Sequence, residues 1–167
     1  MVISTEAVKD LRELTGAGIL DCKRALEDAN GDMEKAKEIL RQKGLAVAAK
    51  KAERVTAQGI VHAYVHHDGR LGALIELNCE SDFVARTDEF RDLAQKIALQ
   101  IAGAKPAYVS AEEIPEDTEG EPKELALLSQ PFIRDESVTI QDLITEAIRK
   151  TGENIRVRRF ARFELGR

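Results

Sequence analysis

The sequence has no tryptophan and an aromatic content of 4%, which is little for a protein that stacks nucleobases on aromatic side chains. It also lacks any run of about 18 apolar residues, so we predict no membrane-spanning helix. The first residues show no basic stretch followed by an apolar one, which argues against a secretory signal. We therefore expect a cytoplasmic protein that does not bind membranes.

Side chains typical of catalytic and metal sites are also few. Cys22 and Cys79 are far apart without a CxxC spacing, which argues against a disulfide framework or a zinc site. His62 and His66 would share one face of a strand but stand about 13 Å apart, too far to bind one metal, and His67 would face the other way. No nucleophile elbow, P-loop or dinucleotide fingerprint is present. We expect no enzyme, no cofactor and no metal site, with solvated histidines and a buried Cys79.

The charge distribution leaves one alternative open. The net charge is −5, which disfavours nucleic acid as the main partner because phosphate contacts need clustered cations. A basic segment nevertheless lies near the C-terminus, with Arg156, Arg158, Arg159 and Arg162. These arginines either protect a strand edge from aggregation or form an RNA-binding module, and salt-sensitive RNA binding would favour the second reading.

The N-terminal part of the chain has helical patterning. Apolar residues recur at helical spacing in residues 4–43, interrupted by the Gly-rich segment 15–18 and by Asn30-Gly31, which is typical of a left-handed helix end. These breaks predict three short helices, the last ending at Gly44. Residues 45–55 are basic and rich in alanine, and they predict a helical linker.

The rest of the chain mixes strands and helices. Residues 61–65 and 71–79 alternate as strands around Asp68-Gly69, a strong hairpin turn signal. Helices are predicted over 87–102 and 138–150, and a last strand over 155–165, with Ile155, Val157, Ala161 and Phe163 on one face together with Arg159. The sequence thus predicts an α+β protein whose small antiparallel sheet is packed by helices. We predict three parts: 1–44, 45–55 and 56–167.

The segment from Asn78 to Thr87 joins a strand to a helix and is unusual. Ser81 and Asp82 are turn formers, and Phe83 follows directly. Phe83 either fills the core or is presented at the tip of the turn, where a rigid aromatic beside a carboxylate suits insertion into a partner.

Four motifs resemble the elongation factor Ts family. Residues 11–26 (LRELTGAGILDCKRAL) resemble its N-terminal signature, and residues 78–85 (NCESDFVA) its second signature. Residues 130–132 (QPF) and 151–160 (TGENIRVRRF) are similar to its C-terminal landmarks. The resemblance covers nearly the whole chain in the family's order.

The resemblance implies a guanine nucleotide exchange factor for the GTPase elongation factor Tu. In this family a ubiquitin-associated-like (UBA-like) three-helix module docks on the GTPase, here through Leu11, Ile19 and Leu20. The Asp-Phe pair enters near the partner's magnesium and phosphate site and promotes GDP release. The implied residues of that contact are Ser81, Asp82, Phe83 and Val84.

Three departures from the family pattern accompany the resemblance. Ile19 and Leu20 stand where methionines are frequent, and Ser81 replaces the usual threonine while keeping its hydroxyl. The chain is also too short for the second core half and the helical hairpin of larger members. Because short members are thought to compensate by pairing, we expect a homodimer.

Overall fold

The computed structural model describes residues 3–167 of the chain. The chain divides into two compact units, one ending at Lys50 and the other covering Lys51–Arg167. The fold is α+β, as predicted, with N-terminal helices followed by a helix-packed antiparallel sheet. None of the helices within the described residues is long and apolar enough to cross a membrane.

The first unit is built from three helices: α1 (Thr5–Thr15), α2 (Ile19–Asp28) and α3 (Met33–Lys51). The predicted stop after α2 is confirmed, because Asn30 and Gly31 both have positive φ, 52° and 82°. The Asp32 carboxylate then accepts a hydrogen bond from the Lys35 amide at 3.1 Å and caps α3. The helices enclose a small core formed by Val8, Leu11, Ala17, Cys22, Ala25, Leu26, Ala29 and Ala36.

Helix α3 differs from the prediction, because it does not end at Gly44. It continues as one helix to Lys51, so residues 45–51 are its C-terminal part and not a separate linker helix. A single interior glycine costs a helix only about 1 kcal/mol, and the alanine-rich residues that follow favour continuation. The three-part division of the chain otherwise stays a prediction.

The second unit begins with strands β1 (Gln58–Val65) and β2 (Leu71–Cys79), followed by a one-turn helix α4 (Asp82–Ala85) and a long helix α5 (Asp88–Ala104). The remaining elements are α6 (Pro122–Leu125), β3 (Pro131–Phe132), β4 (Asp135–Thr139), α7 (Ile140–Thr151) and β5 (Arg156–Glu164). The main sheet has the order β1-β2-β5, and both pairings are antiparallel. The hairpin, the two long helices and the last strand follow the predicted order.

One face of the main sheet is covered by α5, and α7 packs against α5. Alternate residues of β2 therefore point into the core, as the sequence predicts. The buried residues on this strand are Ala73, Ile75, Leu77 and Cys79. Helix α5 contributes Phe90, Leu93, Ile97 and Ile101 to the same core.

The predicted face of the last strand is wrong, because Ile155 and Val157 are buried whereas its other members are exposed. The register with β2 shifts between Glu76 and Leu77, where a bulge leaves Arg158 without a directly opposite partner. A bulge reverses the alternation of the strand, so Val157 is buried whereas Arg159, Ala161 and Phe163 lie on the opposite, exposed face.

A short second sheet, formed by β3 and β4, was not predicted. It directly precedes α7, which begins two residues later than expected with a capping box between Thr139 and Asp142. The buried Gln100 side chain bonds to this region: its Nε2 donates to the Gln130 side-chain oxygen Oε1 at 3.2 Å, and its Oε1 accepts from the Ile133 amide at 2.8 Å. These bonds attach the irregular segment to α5.

Candidate partner-binding site

Residues 80–87 connect β2 to α5 and are called the Phe83 turn. Two successive helix caps hold this turn. The Ser81 hydroxyl accepts a hydrogen bond from the Val84 amide at 3.3 Å and caps α4. The Thr87 hydroxyl accepts from the Phe90 amide at 3.2 Å and caps α5. Capping of both helices gives this short segment a defined backbone path.

Phe83 projects from this turn into solvent, with 82% of its surface exposed. This position excludes the alternative in which Phe83 fills the core. Asp82 lies beside it, with Oδ2 3.0 Å from the Arg86 guanidinium. Val84 is half-buried and Ala85 is buried, so the turn is anchored on one side while its aromatic ring stays accessible.

A turn after α7 supports the Phe83 turn from behind. Glu153 Oε2 accepts hydrogen bonds from the amides of Glu80 and Ser81, at 3.1 and 3.0 Å. The Ser81 hydroxyl donates to Glu153 Oε1 at 2.5 Å. In the reverse direction, Glu80 Oε1 accepts from the Asn154 amide at 2.6 Å. Glu153 was not predicted from the sequence, where its only signal was its place in the resembling segment 151–160.

Cys79 lies directly under the turn and is buried, as predicted. Its thiol donates to the Ser81 carbonyl oxygen at 3.1 Å. Burial, together with the nearby negative charge of Glu153, raises the pKa of the Cys79 thiol from 9.0 to about 11. The thiol is therefore protonated at neutral pH and is a poor nucleophile.

A second apolar surface lies on the N-terminal helices. Leu14 at the end of α1 and Ile19 and Leu20 at the start of α2 are 63%, 57% and 70% exposed. We call these three residues the helical patch. These residues flank the Gly-containing break between α1 and α2. Gly16 has a left-handed conformation that ends α1.

Leu11 does not belong to the helical patch. It is 0% exposed and lies in the core of the three helices, so it offers no surface for direct contact with a partner. The prediction of Leu11 as a docking residue is corrected accordingly: it supports α1 from within. Leu14 was not among the predicted docking residues, but it is exposed on the surface of α1.

The three histidines each contact a neighbouring side chain. His62 is half-buried rather than solvated, with Nε2 2.6 Å from Gln95 Oε1. His66 Nδ1 is 2.9 Å from the Tyr64 hydroxyl, and the His66 and His67 rings are 4.2 Å apart. Across residues 3–167, no group of three His, Cys, Asp or Glu side chains is placed to hold a metal ion.

The C-terminal arginines are largely engaged with carboxylates. Glu76 lies 2.8 Å from the Arg159 guanidinium and 3.7 Å from that of Arg158. Arg162 pairs with Glu164 at 3.0 Å and donates to the Ala102 carbonyl oxygen. Such pairing reduces the positive potential that phosphate groups would require.

Exposed apolar side chains on ordered turns and helix ends are typical of the class of proteins that bind macromolecular partners. A family model described as elongation factor TS matches residues 23–125. Proteins named elongation factor Ts from Carboxydothermus hydrogenoformans and Heliobacterium modesticaldum are 53% and 50% identical, over 99% of this chain and 90% and 91% of their own lengths. The Thermotoga maritima protein of that name is 50% identical over 99% of this chain and 98% of its own. The chain belongs to the elongation factor Ts family.

The alignments also show that the chain is shorter than its relatives over the matched region. The first extends over 195 positions, more than the 167 residues of this chain. Parts of the relative therefore have no counterpart here, although the aligned segments include both the helical patch and the Phe83 turn.

Proposed function

We propose that this protein is a guanine nucleotide exchange factor for elongation factor Tu, and that the Phe83 turn acts on the nucleotide site of that GTPase. The single observation that carries the proposal is an almost fully exposed phenylalanine on a doubly capped turn in a member of this family. An exposed aromatic of this kind is energetically unfavourable in the free protein and becomes favourable when a partner buries it.

The mechanism follows from thermodynamic linkage. An exchange factor must bind the nucleotide-free GTPase more tightly than the GDP-bound form, and each tenfold weakening of GDP corresponds to about 1.4 kcal/mol of that difference. Phe83 supplies the difference if its ring fits only the conformation from which GDP has been displaced. Asp82 places a carboxylate beside it, where it would disturb the water shell of the partner's magnesium.

Docking is assigned to the N-terminal helices. Leu14, Ile19 and Leu20 are exposed apolar side chains, and their burial against the partner would provide affinity without depending on the nucleotide state. The helical patch would then determine the affinity for the partner, and thus the half-maximal concentration. The maximal rate of GDP release would depend on Ser81, Asp82, Phe83 and Val84.

We also propose a homodimer, formed through the exposed face of the main sheet. The register places Val65, Gly72 and Phe163 in one row across the three strands, and Ala63, Leu74 and Ala161 in the next. Phe163 is 72% exposed. A second copy of this face would cover these apolar rows symmetrically.

The remaining assignments follow from this role. The protein needs no catalytic residue and no cofactor, because the chemistry that it promotes is ligand release from its partner. A factor that serves translation acts in the cytoplasm. The RNA-binding alternative has less support, since Arg158, Arg159 and Arg162 are paired with carboxylates.

The test uses elongation factor Tu loaded with a fluorescent GDP analogue. Catalytic amounts of this protein are expected to accelerate release of the analogue into excess unlabelled GDP. The protein alone is expected to hydrolyse no GTP. Unchanged release from a partner of matching origin would refute the proposed function, and salt-sensitive RNA binding without any effect on release would favour the alternative.

A further inference from the structure

Glu153, in the turn after α7, forms more hydrogen bonds with the Phe83 turn than either helix-capping side chain does. Two of these hydrogen bonds come from the backbone amides of Glu80 and Ser81, and the third comes from the Ser81 hydroxyl. Glu153 lies 72 residues away in sequence from Ser81. Capping by Ser81 orders α4 from within, whereas Glu153 attaches α4 to the rest of the unit.

The attachment is reciprocal. The Glu80 carboxylate accepts a hydrogen bond from the Asn154 backbone amide at 2.6 Å, and it lies 3.5 Å from the Arg54 guanidinium. The Asn154 side chain in turn donates to the carbonyl oxygens of Ala52 and Arg54, at 3.2 and 3.0 Å. Two carboxylates thus connect the backbone segments 80–81 and 153–154 in both directions.

The turn that holds Glu153 is itself fixed. Gly152 ends α7 in a left-handed conformation with φ 75°, and its amide donates to the Ile148 carbonyl oxygen at 2.9 Å. The Gly152 carbonyl oxygen accepts from the Lys51 ammonium and, at 3.5 Å, from the Arg54 guanidinium. Glu153 is therefore held from a helix end and not from a mobile loop.

We propose that Glu153 is a positioning residue for nucleotide exchange: it holds the Ser81 backbone and hydroxyl so that Phe83 is presented in one orientation. This inference rests on the proposed function. Its physical basis is preorganisation, because a turn already fixed in its bound form does not lose conformational entropy when it enters the partner. Glu153 is not assigned any contact with the GTPase or its nucleotide.

Two conservative variants separate position from charge. Glu153→Gln keeps the length of the side chain; its carbonyl oxygen still accepts the two amides, and its NH2 group donates to the Ser81 hydroxyl. Glu153→Asp keeps the charge but is one methylene shorter, so its carboxylate no longer reaches all three donors. A positioning role predicts that Gln retains activity and Asp loses it, whereas a role of charge predicts the reverse.

The experiment measures stimulated release of fluorescent GDP from elongation factor Tu over a range of factor concentrations. Glu153→Asp and Glu153→Ala are expected to lower the maximal release rate about tenfold, with the half-maximal concentration within about twofold of the unmodified protein. Glu153→Gln is expected to keep the maximal rate within about threefold. Hydrogen exchange of the Glu80 and Ser81 amides should accelerate in the Asp variant and stay slow in the Gln variant.

A matched control is Glu146→Ala. Glu146 lies on α7 and pairs with Arg149 and Lys150 at 2.6 and 3.5 Å, and it forms no hydrogen bond with residues 80–83. It should leave the maximal rate unchanged. Should Glu153→Ala fail to fold, the Gln and Asp variants decide: full activity of Glu153→Asp, or loss of activity in Gln alone, overturns the proposal. A failure of the unmodified protein to release GDP refutes the proposed function instead.

Discussion

Buried and exposed side chains lie within a few residues of one another around Phe83. Ala85 and Phe90 are buried, whereas Phe83 is exposed between the capping residues Ser81 and Thr87. Local hydrogen bonds, rather than burial of the ring, therefore determine where Phe83 points. This is why substitutions of Phe83 are expected to affect partner binding without unfolding the protein.

Cys79 allows a test of the packing under the turn. Its thiol pKa is raised from 9.0 to about 11 by burial and by the charge of Glu153, so the folded state retains a proton that the unfolded state loses. This contribution to stability is complete below pH 9 and is lost as the pH rises to about 11. We expect urea unfolding of the Cys22→Ala protein to show a decrease of stability over that range.

The control for this prediction is the Cys22→Ala, Cys79→Ala double variant, in which the decrease should be smaller because other groups alone titrate. Alkylation by iodoacetamide at pH 9 provides a second measurement. Cys79 in the folded Cys22→Ala protein should react far more slowly than in urea. Equal rates in the two states would contradict the buried, protonated thiol.

Asp82 is predicted to act through the magnesium of the partner. Asp82→Ala should reduce the stimulated rate of GDP release, and this deficit should shrink when magnesium is chelated, because no metal then remains to be disturbed. The variant should melt normally, since the exposed ion pair with Arg86 contributes at most about 1 kcal/mol. Asp88→Ala, at an exposed acid in the first turn of α5, is the control, and a deficit independent of magnesium would argue against this role.

How much of the site could be predicted differs from residue to residue. Ser81 and Asp82 could be predicted as turn formers because such residues act on their own neighbours. The choice of an exposed Phe83 and the inclusion of Val84 came only from the family resemblance. Glu153 was not visible, because its hydrogen bonds depend on how two distant segments meet in the folded sheet. The burial of Leu11 was missed for a related reason: a helical repeat shows which residues share a face, but not which of them the core covers.

At the scale of the elements, the corner between α1 and α2 carries the docking prediction. Leu20→Asp should weaken binding to elongation factor Tu by roughly 1–3 kcal/mol if Leu20 is an interface anchor. The half-maximal concentration for GDP release should rise, while the maximal rate stays the same. Because Leu20 is exposed, the circular dichroism spectrum should not change.

The matched control is Leu26→Asp, on the same helix. Leu26 is fully buried in the core of the three helices, and an unpaired charge there should unfold the module. If Leu20→Asp also unfolds the protein, or binds as well as the unmodified protein, the helical patch is not the docking surface.

Turns with strong local signals were predicted correctly, whereas details that depend on strand pairing were missed. Asn30-Gly31 and Asp68-Gly69 marked their turns correctly because left-handed and tight-turn conformations favour these residues. The bulge in β5 left no trace in the alternation of the sequence, since it arises from the register with β2. The two residues of β3 are too few to show any period.

For the whole molecule, the exposed sheet face predicts self-association. Light scattering at micromolar concentration should report about twice the chain mass of 18.5 kDa. Phe163→Glu should shift the protein towards the monomer by placing a charge in the apolar rows. Val55→Glu is the control, because Val55 is as exposed but precedes the sheet. A monomer at all these concentrations would rule out the dimer of the free protein.

The most direct test of the central claim compares Phe83→Ala with Val55→Ala in the release of fluorescent GDP from elongation factor Tu. Both variants remove an exposed apolar side chain, and both should melt close to the unmodified protein. We predict that Phe83→Ala loses most of the stimulated rate at saturating factor, while Val55→Ala keeps it. A folded Phe83→Ala protein with the full rate of release would contradict the role of Phe83 in exchange.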